Sequence, residues 1–153
     1  MTVIERLKDL GIVLPKPMAP VAAYVPLTIA GNLVTVSGQL PAVDGKVAVT
    51  GKLGGGVTLE EGQHAARLCL INVLAQLETG LPGGLASITR VVRLGGFISA
   101  TPEFTQHAVV MNGASELSIA AFGELGRHAR STIGVASLPF DAAVEVEGMF
   151  WLG

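Results

Sequence analysis

Two ionisable side chains near the C-terminus have the types and spacing for acid–base chemistry on a small anion. Arg130 opens the alternating run Ser131-Thr132-Ile133-Gly134-Val135-Ala136-Ser137, and Glu145 lies inside Val144-Glu145-Val146-Glu147. The arginine fork can hold a planar carboxylate through two parallel hydrogen bonds. A carboxylate can take a proton from water, or pass one to a substrate, when it lies within about 2.6–3.2 Å of the reacting group. A hairpin of Ser131–Ser137 with Ala143–Trp151 would set the two strands, and so the two side chains, side by side. The same pair also fits an ordinary solvated sheet face.

Other constellations carry less. His64, His107 and His128 fall in no metal-ligand spacing and suit surface or cap positions. No nucleophile-elbow sequence accompanies the serines. Gly54-Gly55-Gly56 lacks the Lys-Ser/Thr ending of a phosphate-binding loop. Ser37-Gly38-Gln39 ends an apolar run, where a glycine permits either a bulge or close approach of a ligand. The single cysteine, Cys69, cannot form an internal disulfide and reads as core packing.

The elements that must position these residues follow from pattern. Thr2 and Glu5 form a capping box ahead of a short helix at about 2–10, and Pro15, Pro17 and Pro20 then impose an extended path to Tyr24. Val25–Ile29 and Leu33–Ser37 flank Ala30-Gly31-Asn32 as a hairpin, and Lys46–Thr50 reads as a short third strand after Asp44-Gly45. Thr58 and Glu61 cap a helix that continues to Gly80. Ile88–Ile98 reads as a long strand bent at Gly95-Gly96. Thr101-Pro102-Glu103 predicts the start of a second long helix running to about Leu125, weakened by about 1 kcal/mol at each of Gly113 and Gly123. The order predicts an α+β fold: one mixed sheet with two long helices on one face, in a single domain over residues 1–153.

Only 14% of the residues are charged while half are apolar. That leaves few charged groups to cover a monomer and predicts an oligomer whose subunits cover the second sheet face. No apolar run reaches the roughly 18 residues of a membrane span. The N-terminus lacks a signal peptide's apolar centre, and a cytoplasmic location is expected. A net charge of −2 argues against an extensive phosphate-binding surface and so against nucleic acid as a partner.

The segment Ala129-Arg130-Ser131-Thr132-Ile133-Gly134-Val135-Ala136-Ser137-Leu138-Pro139 with Val144-Glu145-Val146-Glu147 resembles the C-terminal signature of the RidA/YjgF family, also called endoribonuclease L-PSP. Ala19-Pro20 with Tyr24, Val34-Thr35-Val36-Ser37-Gly38-Gln39-Leu40-Pro41 and Asn72-Val73-Leu74-Ala75 support the resemblance upstream. The resemblance implies a chorismate-mutase-like fold, a homotrimer with clefts between subunits, and no metal or cofactor. It further implies hydrolysis of enamines or imines derived from amino acids to a keto acid and ammonia, as in 2-iminobutanoate/2-iminopropanoate deaminases. Arg130 would bind the carboxylate and Glu145 would position water. The backbones of Gly38 and Thr132 would contact the ligand, and Tyr24 and Ser37 would complete the cleft. A module that binds a small carboxylate without turnover is the alternative, and a ribonuclease a further one. The N-terminal helix, the long 105–126 region, Thr132 where the family often has cysteine, and Asn112, out of register with the family's helix asparagine, mark a divergent subgroup.

Overall fold

The computed structural model of the chain describes residues 1–20 and 22–153. Helix α1, Val3–Asp9, forms on the predicted capping box: Thr2 Oγ1 accepts the Glu5 N–H at 3.1 Å, and the Glu5 carboxylate accepts the Thr2 N–H at 2.7 Å. Its one buried residue, Leu7, joins the main core.

Strands β1, Leu27–Ala30, and β2, Leu33–Gln39, form the predicted hairpin, with Gly31 in the left-handed conformation at φ 61°. The third predicted strand shrinks to a two-residue ladder, Ala42–Val43 against Lys46–Val47. Asp44 and Gly45, both at positive φ, turn the chain there before Thr50 bridges to Ala142. Helix α2, Leu59–Gly80, starts where Thr58 Oγ1 accepts the Glu61 N–H. Cys69 lies fully buried on it and donates to the Val144 carbonyl at 3.4 Å; burial pushes its thiol pKa up.

Three expectations fail here for physical reasons. Helix α3 spans His107–Phe122 and does not begin at Thr101. The Thr101 N–H is instead committed to the Leu53 carbonyl at 3.0 Å, and its own carbonyl accepts from Phe104, so Thr101-Pro102-Glu103 makes a turn. The helix stops at Gly123, φ 64°, and residues to Gly126 form a 3-10 turn. In the long strand β3, Ile88–Ser99, the register irregularities fall between Ile88 and Arg93. Gly95 and Gly96 instead make room: a Cβ on Gly96 would lie 2.5 Å from the Met111 sulfur, and one on Gly95 2.9 Å from Glu147 Cγ.

The last two strands do not form a hairpin. Strand β4, Ala129–Val135, pairs parallel to β3, as the β3–α3–β4 crossover requires. Strand β5, Val144–Leu152, pairs antiparallel to the other edge of β3 and also to β2, giving the order β1-β2-β5-β3-β4. The 3-10 turn Pro139–Asp141, with Phe140 and Asp141 at positive φ, carries the chain between them.

The core lies between the sheet and the two long helices, with Val34, Val36, Leu94, Ile98, Val144, Val146 and Phe150 facing Leu70, Val73, Leu74, Leu77, Met111 and Leu117. The α+β architecture expected from the sequence is thus present, both long helices lying on one face. On the opposite face Ile133 and Trp151 are 52% and 46% exposed, and the half-buried Glu145, Glu147 and Met149 alternate with core residues along β5.

Gly113 lets α3 close on α2. A Cβ there would collide with the Gln63 carbonyl, a backbone atom that cannot swing aside. Although alanine is the better helix former, Gly113→Ala is expected to destabilise the chain by about 1–3 kcal/mol. Chemical denaturation would show this as a lowered midpoint; a gain in stability would mean that propensity outweighs the close approach.

Candidate functional site

Arg130 is the second residue of β4, the strand at the α3 end of the sheet, and its side chain points toward α3. Nη1 donates to Asn112 Oδ1 at 2.9 Å and to Ser115 Oγ at 3.0 Å, and Nη2 donates to the Ala108 carbonyl at 3.1 Å. Residues 108, 112 and 115 recur at helical spacing, so one face of α3 supplies all three acceptors. A guanidinium has five N–H donors. Among the described residues these bonds leave Nε–H and one Nη2–H without a protein partner. No carboxylate neutralises the charge: the one ion pair among the described residues is Arg127–Glu124 at 3.1 Å, on the surface. The arrangement is a cation fixed in orientation with two N–H donors left for an anion.

Asn112, set aside on sequence register, is therefore part of this arrangement, as is Ser115. The readable signal was the 108/112/115 periodicity opposite a strand carrying an arginine. Thr132, two residues along the same side of β4, has a buried hydroxyl with no hydrogen-bond partner. His107 packs edge-on against Phe104, and its Nε2 lies 2.6 Å from where a Cβ on Gly134 would sit.

A second group assembles around the end of β2. The pairing of β2 with β5 slips between Val36 and Gln39, and Gly38 lies in that irregularity. The Glu145 carboxylate fills the space above it, with Oε2 2.6 Å from the position of a Cβ. Burial first, and the charge of Glu147 second, raise the Glu145 pKa above the ordinary carboxylate value. That moves the group toward the range useful for accepting a proton near neutrality. Ser37 Oγ donates to the Val25 carbonyl at 2.7 Å and its N–H to the Pro26 carbonyl at 2.8 Å, so this serine pins the segment carrying Tyr24. Tyr24 and Gly38 line a small cleft of about 60 Å³ with Met18, Pro26, Leu40 and Phe140. Asn72 and Gln76 of α2 hold its wall by donating to the carbonyls of Leu40 and Met18 at 2.9 Å.

Tyr24, Ser37, Gly38 and Glu145 thus come together, and Arg130 and Thr132 come together, but the two groups do not meet within one chain. Strand β3 lies between β4 and β5, with Arg130 in register with Leu94 and Glu145 with Phe97. Arg130 faces the helices, whereas Glu145 alternates with core residues Val144 and Val146 and projects from the opposite face. The hairpin adjacency expected from the sequence is overturned by the strand order. No group of three or more His, Cys, Asp or Glu side chains among the described residues converges as a metal site.

Gly38→Ala is expected to leave stability within about 1 kcal/mol, because the atoms in the way are the mobile end of a side chain. It should nevertheless displace the Glu145 carboxylate. A crystal structure of the variant, with an NMR titration of Glu145, would detect this; an unmoved carboxylate would contradict the packing described.

The comparisons with known proteins agree with this architecture. The chain matches, over residues 4–149, the family described as YjgF/chorismate mutase-like and candidate endoribonuclease. It is 47% identical over 148 residues to Protein TCP17 of Trypanosoma cruzi, covering 96% of this chain and 92% of that one. The structure of Atu1372 from Agrobacterium tumefaciens, a protein of unknown function, is 48% identical with a TM-score of 0.92, covering 99% of this chain and 92% of the other. A candidate endoribonuclease from Shewanella oneidensis is 34% identical with a TM-score of 0.96, covering 99% and 100%. With the fold, the Arg130 cluster and the Gly38–Glu145 contact in place, the chain belongs to the YjgF/chorismate-mutase-like (RidA/YjgF) family.

Proposed function

We propose that this protein hydrolyses enamines and imines derived from amino acids to the keto acid and ammonia, in clefts between the subunits of a cytoplasmic homotrimer. The observation that carries this reading is the split site. An oriented guanidinium with two unpaired N–H donors stands on one face of the sheet, and a carboxylate with a raised pKa stands on the other, two strands away. A small substrate reaches both only if Arg130 comes from one copy and Glu145 from a second. Ile133 and Trp151, exposed on the uncovered sheet face, and the low charge content supply the drive for association.

The chemistry asks little beyond positioning. Arg130 would hold the substrate carboxylate and turn its imine carbon toward a water beside Glu145. Glu145 would take a proton as the water oxygen bonds to that carbon, giving a tetrahedral amino alcohol. Return of the proton to nitrogen makes the amine a leaving group; as the C–N bond breaks and ammonia departs, Glu145, again a carboxylate, takes the hydroxyl proton and the carbonyl forms. Positioning and one acid–base group suffice for an already electrophilic carbon. Gly38 leaves room for the carboxylate to lie against the backbone, while Tyr24, held through Ser37, walls the cleft and Thr132 extends the Arg130 side.

Imines generated in situ by an amino-acid oxidase, with ammonia or keto-acid release as the readout, test the reading. Wild type should accelerate release. Arg130→Ala should lose at least about a hundredfold in kcat/KM, and Glu145→Gln about 10²–10⁴-fold in kcat. Equal rates in wild type and Arg130→Ala would refute it, and saturable keto-acid binding without turnover would point instead to a binding module. The ribonuclease label of the family needs a phosphate-binding surface that a net charge of −2 does not favour, and failure of purified protein to cut single-stranded RNA would remove it.

A further inference from the structure

The carboxylate holder has a support of its own. Resting on the reading of Arg130 as that holder, we propose that Ser115 and His128 are positioning residues. They lock the guanidinium through a hydrogen-bond chain of fixed polarity that runs from the Gly126 carbonyl through His128 and Ser115 to Arg130.

The chain is unbroken. His128 Nδ1 lies 2.6 Å from the Gly126 carbonyl oxygen, His128 Nε2 lies 2.9 Å from Ser115 Oγ, and Ser115 Oγ lies 3.0 Å from Arg130 Nη1. Each direction is set by a group with one possible role. A carbonyl only accepts, so Nδ1 carries the imidazole proton. A guanidinium only donates, so Ser115 Oγ accepts from it. In the neutral imidazole Nε2 is then a bare acceptor, and the Ser115 hydroxyl proton points to it. Every donor and acceptor is used, and no alternative arrangement of neutral groups satisfies all four.

A protonated His128 would break the scheme. Nε2–H would point at Ser115, whose own proton would lose its acceptor, and a second cation would stand beside Arg130. Burial foremost, and the Arg130 charge after it, lower the His128 pKa, while the Gly126 carbonyl pulls the other way. His128 immediately precedes β4, Ser115 is on α3, and Gly126 closes the turn between them. The chain therefore ties the strand to the helix at the point where Arg130 crosses the gap, and fixes the orientation of the guanidinium. Ser118 Oγ donates to the same Gly126 carbonyl at 2.8 Å and anchors its far end.

The test uses the full chain and two readouts. In ¹⁵N NMR at neutral pH, the His128 ring, assigned by its absence from His128→Gln, should show a protonated Nδ1 and a bare Nε2, and the Arg130 Nη signals should show restricted rotation. Pyruvate, a small 2-oxo carboxylate, serves as the binding probe in calorimetry. Ser115→Ala should free the Arg130 Nη rotation and weaken pyruvate binding about ten- to a hundredfold, with Ser115→Thr within about threefold of wild type. Should Ser115→Ala fail to fold, His128→Gln, which breaks the carbonyl link, carries the same expectations. Unchanged Arg130 signals in these variants, or a His128 protonated at Nε2 in wild type, would overturn the proposal. A wild type that does not bind pyruvate, with Arg130 still locked through Ser115, would instead refute the carboxylate reading and leave the lock standing.

Discussion

A half-buried guanidinium without a counter-charge is the constraint around which this structure is arranged. Partial desolvation of a cation costs free energy unless acceptors surround it. Arg130 meets that demand with three oxygens from one helix face and no carboxylate. The solution depends on α3 lying against the edge strand. That in turn depends on the β3–α3–β4 crossover, on Gly96 admitting Met111 beneath the helix, and on Gly113 letting α3 approach α2. A carboxylate at Asn112 would neutralise the site; an asparagine there holds the cation without doing so.

The period of a β-strand imposes the second constraint. Because β5 buries Val144, Val146 and Phe150, Glu145 and Glu147 must occupy the other face. Glu145 therefore sits where the chain gives it little solvent and a like-charged neighbour, and its carboxyl holds its proton more tightly than an exposed one would. The cost of that placement is consistent with use of the group in proton transfer. One face carries Arg130 and the other Glu145, so the architecture that supports each residue also keeps them apart within a chain.

Much of the fold was legible because its signals are local: both threonine-capped helices, the first hairpin and the period-2 strands need only a few neighbouring residues. The site residues Arg130 and Glu145 were legible as types, and the resemblance of residues 129–147 gave them roles. Their adjacency was misread because strands consecutive in sequence usually pair, whereas the long β3 inserts between these two. The start of α3 was misread because Thr101, a local capping signal by its hydroxyl, is held by a backbone bond to Leu53 from a distant segment and by an i→i+3 turn to Phe104. Ser115 was missed, and Asn112 and His128 were set aside as out of register and as a surface or cap residue, for the same reason. Their chemistry appears only when a helix face and a strand 13–18 residues further on are superposed in space.

The claim that one working site needs residues of two chains can be tested by mixing two inactive proteins. Arg130→Ala and Glu145→Gln subunits, unfolded and reassembled together in equal amounts, should recover imine hydrolysis at about a quarter of the wild-type number of sites. That is the share of interfaces pairing an intact Arg130 with an intact Glu145 in a closed ring. Each variant reassembled alone should stay inactive. No recovery in mixtures shown to contain mixed oligomers would contradict the account, since it would place both residues' work within a single chain.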